Sequence, residues 1–184
     1  MQVTVTEGRV LENRPDLVLR AAHLADAEAI AALWHRGWLD GHAGHVPEAL
    51  HQHRRLADFR RRVPPRLTAT TVATLGERVV GFVTVREDEV EQMYVAGPAR
   101  GTGVADALLK AGERIVAERF DTAWLAVAVG NNRARRFYAR CGWRDAAAID
   151  YPAEAGTDDT GRRPAAPGGA VVVVPCRRYE KRVR

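Results

Sequence analysis

Between Thr68 and Val95 the polarity of the chain alternates with a period of two. "TATTVATLGERVVGFVTVRED" reads as two strands joined at Gly76-Glu77, and "EVEQMYVAG" follows at once as a third. Strands joined by turns this short form an antiparallel meander. The period then becomes helical. "VADALLKAGERIVAERF" sets Val104, Leu108, Ile115 and Val116 on one helical face, with small Ala107, Ala111 and Gly112 permitting close packing. Between the two periods lies "ARGTG", with Gly101 and Gly103 one residue apart behind Arg100. A meander feeding a helix through a glycine turn restricts the chain to a mixed α/β sheet.

The flanking segments extend this pattern. "LVLRAA" is a short first strand from Leu17. "DAEAIAALWHRGW" places Ile30, Leu33, Trp34 and Trp38 at helical spacing, with Asp26 as N-cap. A second helix starts at Pro47 with Leu50, Leu56, Phe59 and Val63 on its apolar side, and "VPP" closes it. After the glycine-led helix, "TAWLAVAV" is an apolar, buried strand. "NNRARRFYARC" is a helix opened by asparagine and closed by Gly142, and "WRDAAAIDY" is a strand. "AVVVVPCRRYEKRV" is the last strand, its Pro175 pointing to an edge or a bulge. The predicted order is β-α-α-β-β-β-α-β-α-β-β. It forms one domain over residues 17–184, behind a loose leader (1–16) and with a mobile Pro/Gly/Asp-rich loop at about 152–169.

Bulk properties exclude several classes. Hydrophobic residues make up 46% of the 184, enough for a core, yet no run approaches a membrane span. The N-terminus lacks the apolar centre of a secretion signal. Cys141 and Cys176 supply neither a disulfide framework nor metal-ligand spacing. A soluble cytoplasmic protein with reduced thiols is expected. The net charge of +5 raises the question of nucleic acid. Only Lys110 and Lys181 among the 28 basic residues are lysines, and "RRLADFRRR" and "RARRFYAR" read as solvated helix faces. No nucleic-acid partner is expected.

The glycine turn carries the chemistry. Successive N–H groups from Arg100 to Ala105 converge on one point above a helix N-terminus, which suits a pyrophosphate, with Arg100 as a fixed cation. No Gly-Lys-Ser/Thr follows, so the turn is not a P-loop. The third glycine of a dinucleotide turn is also missing, because that position holds Asp106.

Arg100-Gly101-Thr102-Gly103-Val104-Ala105 resembles the Arg/Gln-x-x-Gly-x-Gly/Ala signature of the GNAT superfamily of acyl-CoA-dependent N-acetyltransferases. "NNRARRFYARCGW" is similar to a second hallmark, Asn-x-x-Ala-x-x-Phe-Tyr-x-x-x-Gly-aromatic, through Asn131, Ala134, Phe137, Tyr138, Gly142 and Trp143. The resemblance spans roughly residues 17–150. It implies a GNAT-like, mostly antiparallel sheet of six to seven strands flanked by helices. It also implies acetyl-CoA as co-substrate, without metal, its pyrophosphate on the backbone of residues 100–105. The strand before the turn splays from its neighbour to admit pantetheine, which pairs with Met93, Tyr94 and Val95, and an N–H near Met93 polarises the thioester carbonyl.

Acetyl transfer to an amine needs a base for the ammonium and an acid for the departing thiolate. By the resemblance Tyr138 is the acid. Glu89 and Glu91 share a strand face by alternation, and either is placed to be the base. Glu91 is favoured for its proximity to Met93, a preference that a bulge in this strand would reverse. Asn131 is a helix N-cap and a pantetheine contact, and Arg135 or Arg136 is placed to reach coenzyme phosphates. Five of the six histidines lie between His35 and His53, without a carboxylate or cysteine set that would make a metal site. The resemblance instead assigns Trp34, Trp38, Asp40, His42 and His45 to the wall of an acceptor pocket.

The reaction implied is transfer from acetyl-CoA to a primary amine on a small molecule or peptide. A non-catalytic acyl-CoA sensor on the same fold is the alternative. A homodimer is compatible with exposed C-terminal strands.

Overall fold

In the computed structural model, residues 17–42, 44–154 and 171–184 are described. Seven strands form one sheet: β1 (Leu17–Ala21), β2 (Thr70–Leu75), β3 (Arg78–Arg86), β4 (Glu89–Val95), β5 (Thr122–Ala128), β6 (Arg144–Glu154) and β7 (Val171–Arg182). Their order is β1-β2-β3-β4-β5-β7-β6, and every neighbouring pair is antiparallel except β4 and β5. The meander from β2 to β4 is as the alternation predicts, and Gly76 turns the first hairpin at φ +57°.

Helices cover both faces. On one side α4 (Val104–Ala117) and α5 (Asn132–Arg140) pack over a core containing Val83, Val85, Val90, Leu108, Leu125 and Trp143. On the other lie α1 (Ala27–His42), α2 (Glu48–His51) and α3 (Leu56–Arg62), over Trp34, Trp38, Phe59, Val72 and Phe82. Along α4 the buried seam runs through Val104, Ala107, Leu108 and Ala111, then moves to Gly112 and Val116. Ile115, expected on that face, is left 38% exposed.

Several expectations are corrected by packing. The helix expected after Pro47 is two pieces, and in the turn between them the Arg54 guanidinium donates to the carbonyls of His53 and, from β6, Glu154. Asp58 then caps the restart by accepting from the N–H of Arg55 at 2.8 Å. Asp26 does not cap α1 directly: it ends a 3-10 turn, where it accepts from the N–H of His23 and from Arg20. Pro175 lies in an interior strand. It is tolerated because it falls where the β5–β7 ladder ends: past Ala128 and Cys176 its carbonyl still accepts from the N–H of Val129 at 3.2 Å, a bond that needs no N–H from proline. Pro152 to Glu154, expected to open a loop, continue β6 against Val171–Val173. The rest of that loop and the leader lie outside the described residues. No described helix is long and apolar enough to cross a membrane.

Candidate active site

The parallel junction of β4 and β5 pairs only at Glu89 and Trp124. Past that point the strands part, and a cavity of about 530 Å³ opens at the gap. Its walls come from both sheet faces. Trp34, Trp38, His42 and Leu50 reach it from α1 and α2, the whole of β4 borders it, and Asn131, Arg136, Phe137 and Tyr138 close it from α5.

At one end of the gap the glycine turn enters α4. Gly101 has φ +74° and Gly103 φ +89°, the left-handed region that side chains disfavour. A Cβ at either would meet nothing within 4 Å, so an anion can approach the main chain there. The Thr102 hydroxyl folds back to donate to the carbonyl of Ala99. Arg100 and Gly101 border the cavity, as does Ala105 in the first turn of α4. Arg100 and Arg133 both pair with Asp40 of α1, at 2.6 and 2.7 Å. The Arg133 hydrogen bond, with the charge of Arg100, holds the Asp40 carboxyl below its usual range.

A bulge decides the orientation of the β4 side chains. Val85 pairs with Val90 and Thr84 with Gln92, leaving Glu91 as the extra residue. Met93 and Val95 therefore pack toward the α4 core, and Tyr94 toward the α1 core. Glu91 stays on the α1 side, where both its oxygens accept from Arg66, at 3.0 and 3.1 Å, and one also from Arg86. Glu89, 7% exposed, accepts from the Tyr151 hydroxyl at 2.8 Å. The expected common face for the two carboxylates holds, but the alternation carrying that face on to Met93 does not.

Tyr138 packs beside Phe137, Trp143 and Tyr179, with ring centroids 5.3 to 6.1 Å away. Burial raises its pKa, with Tyr94 and Cys141 adding to the effect, so the phenol holds its proton at neutral pH. Asn131 caps α5 by accepting from the N–H of Ala134 at 3.1 Å and also borders the cavity. His42 stacks on Trp38 at 5.4 Å and bonds the carbonyl of Trp38 through Nδ1. Burial pushes its pKa down to about 4.

Two expected residues are turned elsewhere. Arg135 lies on the other face of α5, toward Tyr179 and Asp145, while Arg133 and Arg136 border the cavity. His45 is not on the wall; it lies against Gly130, where a Cβ would come within 2.3 Å of Nδ1. Conversely, the supposed solvated cluster "RRLADFRRR" hides two buried arginines. Arg54, Arg62 and, further on, Arg66 are 8, 2 and 7% exposed and border the cavity, together with Glu154. Charge patterning had no signal to separate them from exposed Arg55, Arg60 and Arg61. Among the described residues no group of His, Cys, Asp and Glu is arranged to hold a metal ion.

The family model for the acetyltransferase (GNAT) family matches residues 28–143. The chain belongs to the GNAT family. The GNAT match takes in the meander, the glycine turn, α4, β5, α5 and most of the cavity's lining, and it carries acyl transfer as the general chemistry. No curated protein matches the sequence. Solved structures share the chain's fold. A GCN5-related N-acetyltransferase from Rhodopseudomonas palustris has a TM-score of 0.67 at 20% identity, covering 95% of this chain and 99% of its own. PaiA N-acetyltransferase from Thermoplasma acidophilum, in complex with coenzyme A, has a TM-score of 0.62 at 16% identity, covering 90% and 98%. The putative acetyltransferase yncA from Salmonella typhimurium, with acetyl-CoA, has a TM-score of 0.64 at 15% identity, covering 92% and 95%.

Proposed function

We propose that the protein transfers an acetyl group from acetyl-CoA to a primary amine by direct attack. The carrying observation is the cavity at the β4–β5 gap, which borders the glycine turn, the buried Glu89 and the protonated Tyr138 together. GNAT membership and the coenzyme complexes of two structural neighbours support acetyl-CoA as donor. Its pyrophosphate rests on the backbone of residues 100–105, and its pantetheine runs along the open edge of β4 at Met93 to Val95. Arg100, Arg133 and Arg136 neutralise the phosphates, with Arg100 and Arg133 exchanging Asp40 for them.

The amine nitrogen forms a bond to the thioester carbon while an N–H near Met93 holds the developing oxyanion. Glu89 takes the ammonium proton, directly or through water. Glu91 is the poorer base because Arg66 occupies both its oxygens, and accepting a proton would break one of those bonds. Collapse breaks the C–S bond, and Tyr138 protonates the leaving thiolate. The test is release of free thiol from acetyl-CoA across a panel of primary amines. Saturable acetyl-CoA binding with no thiol release on any amine would make the protein a sensor on this fold instead.

A further inference from the structure

The charged groups of the cavity are unevenly matched. Arg66 binds Glu91 through two nitrogens and Glu154 through another contact of 2.9 Å. Arg62 lies 3.3 Å from the second oxygen of Glu154. Arg54 makes no ion pair with a carboxylate among the described residues, although the charges of Glu154 and Asp58 reach it. Its Nη1 donates to the carbonyls of His53 and Glu154, at 2.9 and 2.7 Å, and its Nε and Nη2 find no acceptor among the described residues. The side chain is 8% exposed, borders the cavity and lies 5.5 Å from the Trp38 ring centroid. Burial pushes its pKa down to about 10, with Arg62 adding repulsion that the more distant charges of Glu154 and Asp58 only partly offset. A buried charge left without a counter-charge is costly, and an anion arriving from solution would remove that cost.

We infer that the acceptor amine also carries a carboxylate, and that Arg54 binds it. The free Nε–Nη2 edge presents two parallel donors at the spacing of two carboxylate oxygens. Arg54, Tyr94 and Tyr138 border the same cavity, so a carboxylate on Arg54 and an amine at the transfer point can belong to one acceptor. Trp38 and Leu50 supply apolar wall to the same cavity. The substrate class is thus an amino carboxylate with an apolar segment. Anchoring the turn after α2 to β6 uses Nη1 alone, so the open edge is not needed for the fold.

This inference rests on the acetyl-transfer reading, and the experiment separates the two. Thiol release is measured for the common amino acids and a series of ω-amino carboxylates, each against the same amine without its carboxylate. The two series distinguish an α- from an ω-amino acceptor. At least one carboxylate acceptor should exceed its carboxylate-free partner in kcat/KM by tenfold or more. Arg54→Met should lower that kcat/KM by roughly 10²–10³-fold, mainly through KM, and change the neutral amine little. Arg54→Lys should recover part of the loss. A thermal shift with acetyl-CoA confirms folding; if Arg54→Met does not fold, Arg54→Lys and the wild-type ratios decide. Preference for carboxylate-free amines, equal losses on both members of a pair, or preference for the matching aminophosphonate would overturn the inference while leaving acetyl transfer intact. Failure of every amine overturns acetyl transfer. Calorimetry of N-acetyl amino acids on the coenzyme A complex then tests Arg54 alone: carboxylate-dependent binding lost in Arg54→Met supports it, and binding indifferent to the carboxylate overturns it.

Discussion

At the scale of single residues the proposed reaction divides between groups whose surroundings differ. Tyr138 is kept protonated by burial among aromatic rings, so it is an acid in waiting rather than a phenolate. Tyr138→Phe should lower kcat by about 10- to 10³-fold while acetyl-CoA still binds. An unchanged rate would reduce the side chain to packing. The two strand glutamates should separate just as clearly. Glu89→Gln should remove the basic group from the kcat/KM profile while acetyl-CoA still binds. Glu91→Gln should retain that profile but weaken the fold by about 3 kcal/mol, since it strips a carboxylate from buried Arg66. Denaturant unfolding beside a pH–rate series reads both. The reverse pattern would return the base to Glu91.

At the scale of elements, the glycine turn and α1 meet across the gap. Gly103 is the N-cap of α4 at φ +89° with open space beyond it. Gly103→Val would meet no neighbour there, so its effect must come from backbone strain, on the order of 1–3 kcal/mol, and from the side chain standing where the anion approaches. Acetyl-CoA binding should be lost by calorimetry while the fold persists; normal affinity would remove the turn from the coenzyme site. On the far wall α1 lies close against β4, because a Cβ on Gly37 would come 2.4 Å from Cδ1 of Tyr94. That approach brings Trp34, Trp38 and His42 to the cavity. Helical periodicity in the sequence marked the two tryptophans as a stripe; the contact with Tyr94 is what makes the stripe a wall.

At the scale of the whole molecule, ligand and pH act through linkage. A ligand bound only by the folded state at 100 times its dissociation constant adds about 2.7 kcal/mol, so saturating acetyl-CoA should raise Tm by roughly 5–10 °C. No shift would mean no coenzyme site. Acidification should do the opposite. His42 has its pKa lowered in the folded state to about 4, from an ordinary value of 6.5, because burial disfavours its charged form. The unfolded chain therefore binds that proton first, and stability falls as pH drops from about 6.5 to about 4. The side chain is only half-buried, so the loss is about 1–3 kcal/mol. His42→Gln should flatten that limb in thermal denaturation across pH; an identical limb would assign the acid sensitivity elsewhere.

What the sequence determined by itself is local. Alternation specified the meander, positive-φ glycines the turn, Asn131 and Gly142 the ends of α5, and the two spaced motifs the GNAT family. Each of these depends on neighbours in the chain, where period and backbone geometry speak directly. The tertiary structure decided which charges are in and which are out. Arg54 and Arg55 are adjacent and chemically identical, yet one is buried over Trp38 and the other exposed, because only Arg54 meets the end of β6 a hundred residues away. The bulge that sets Glu91 apart, the parting of β4 from β5 and the edge of Arg54 that meets no acceptor among the described residues likewise arise from contacts distant in sequence. Side-chain charge alone carries no record of such contacts.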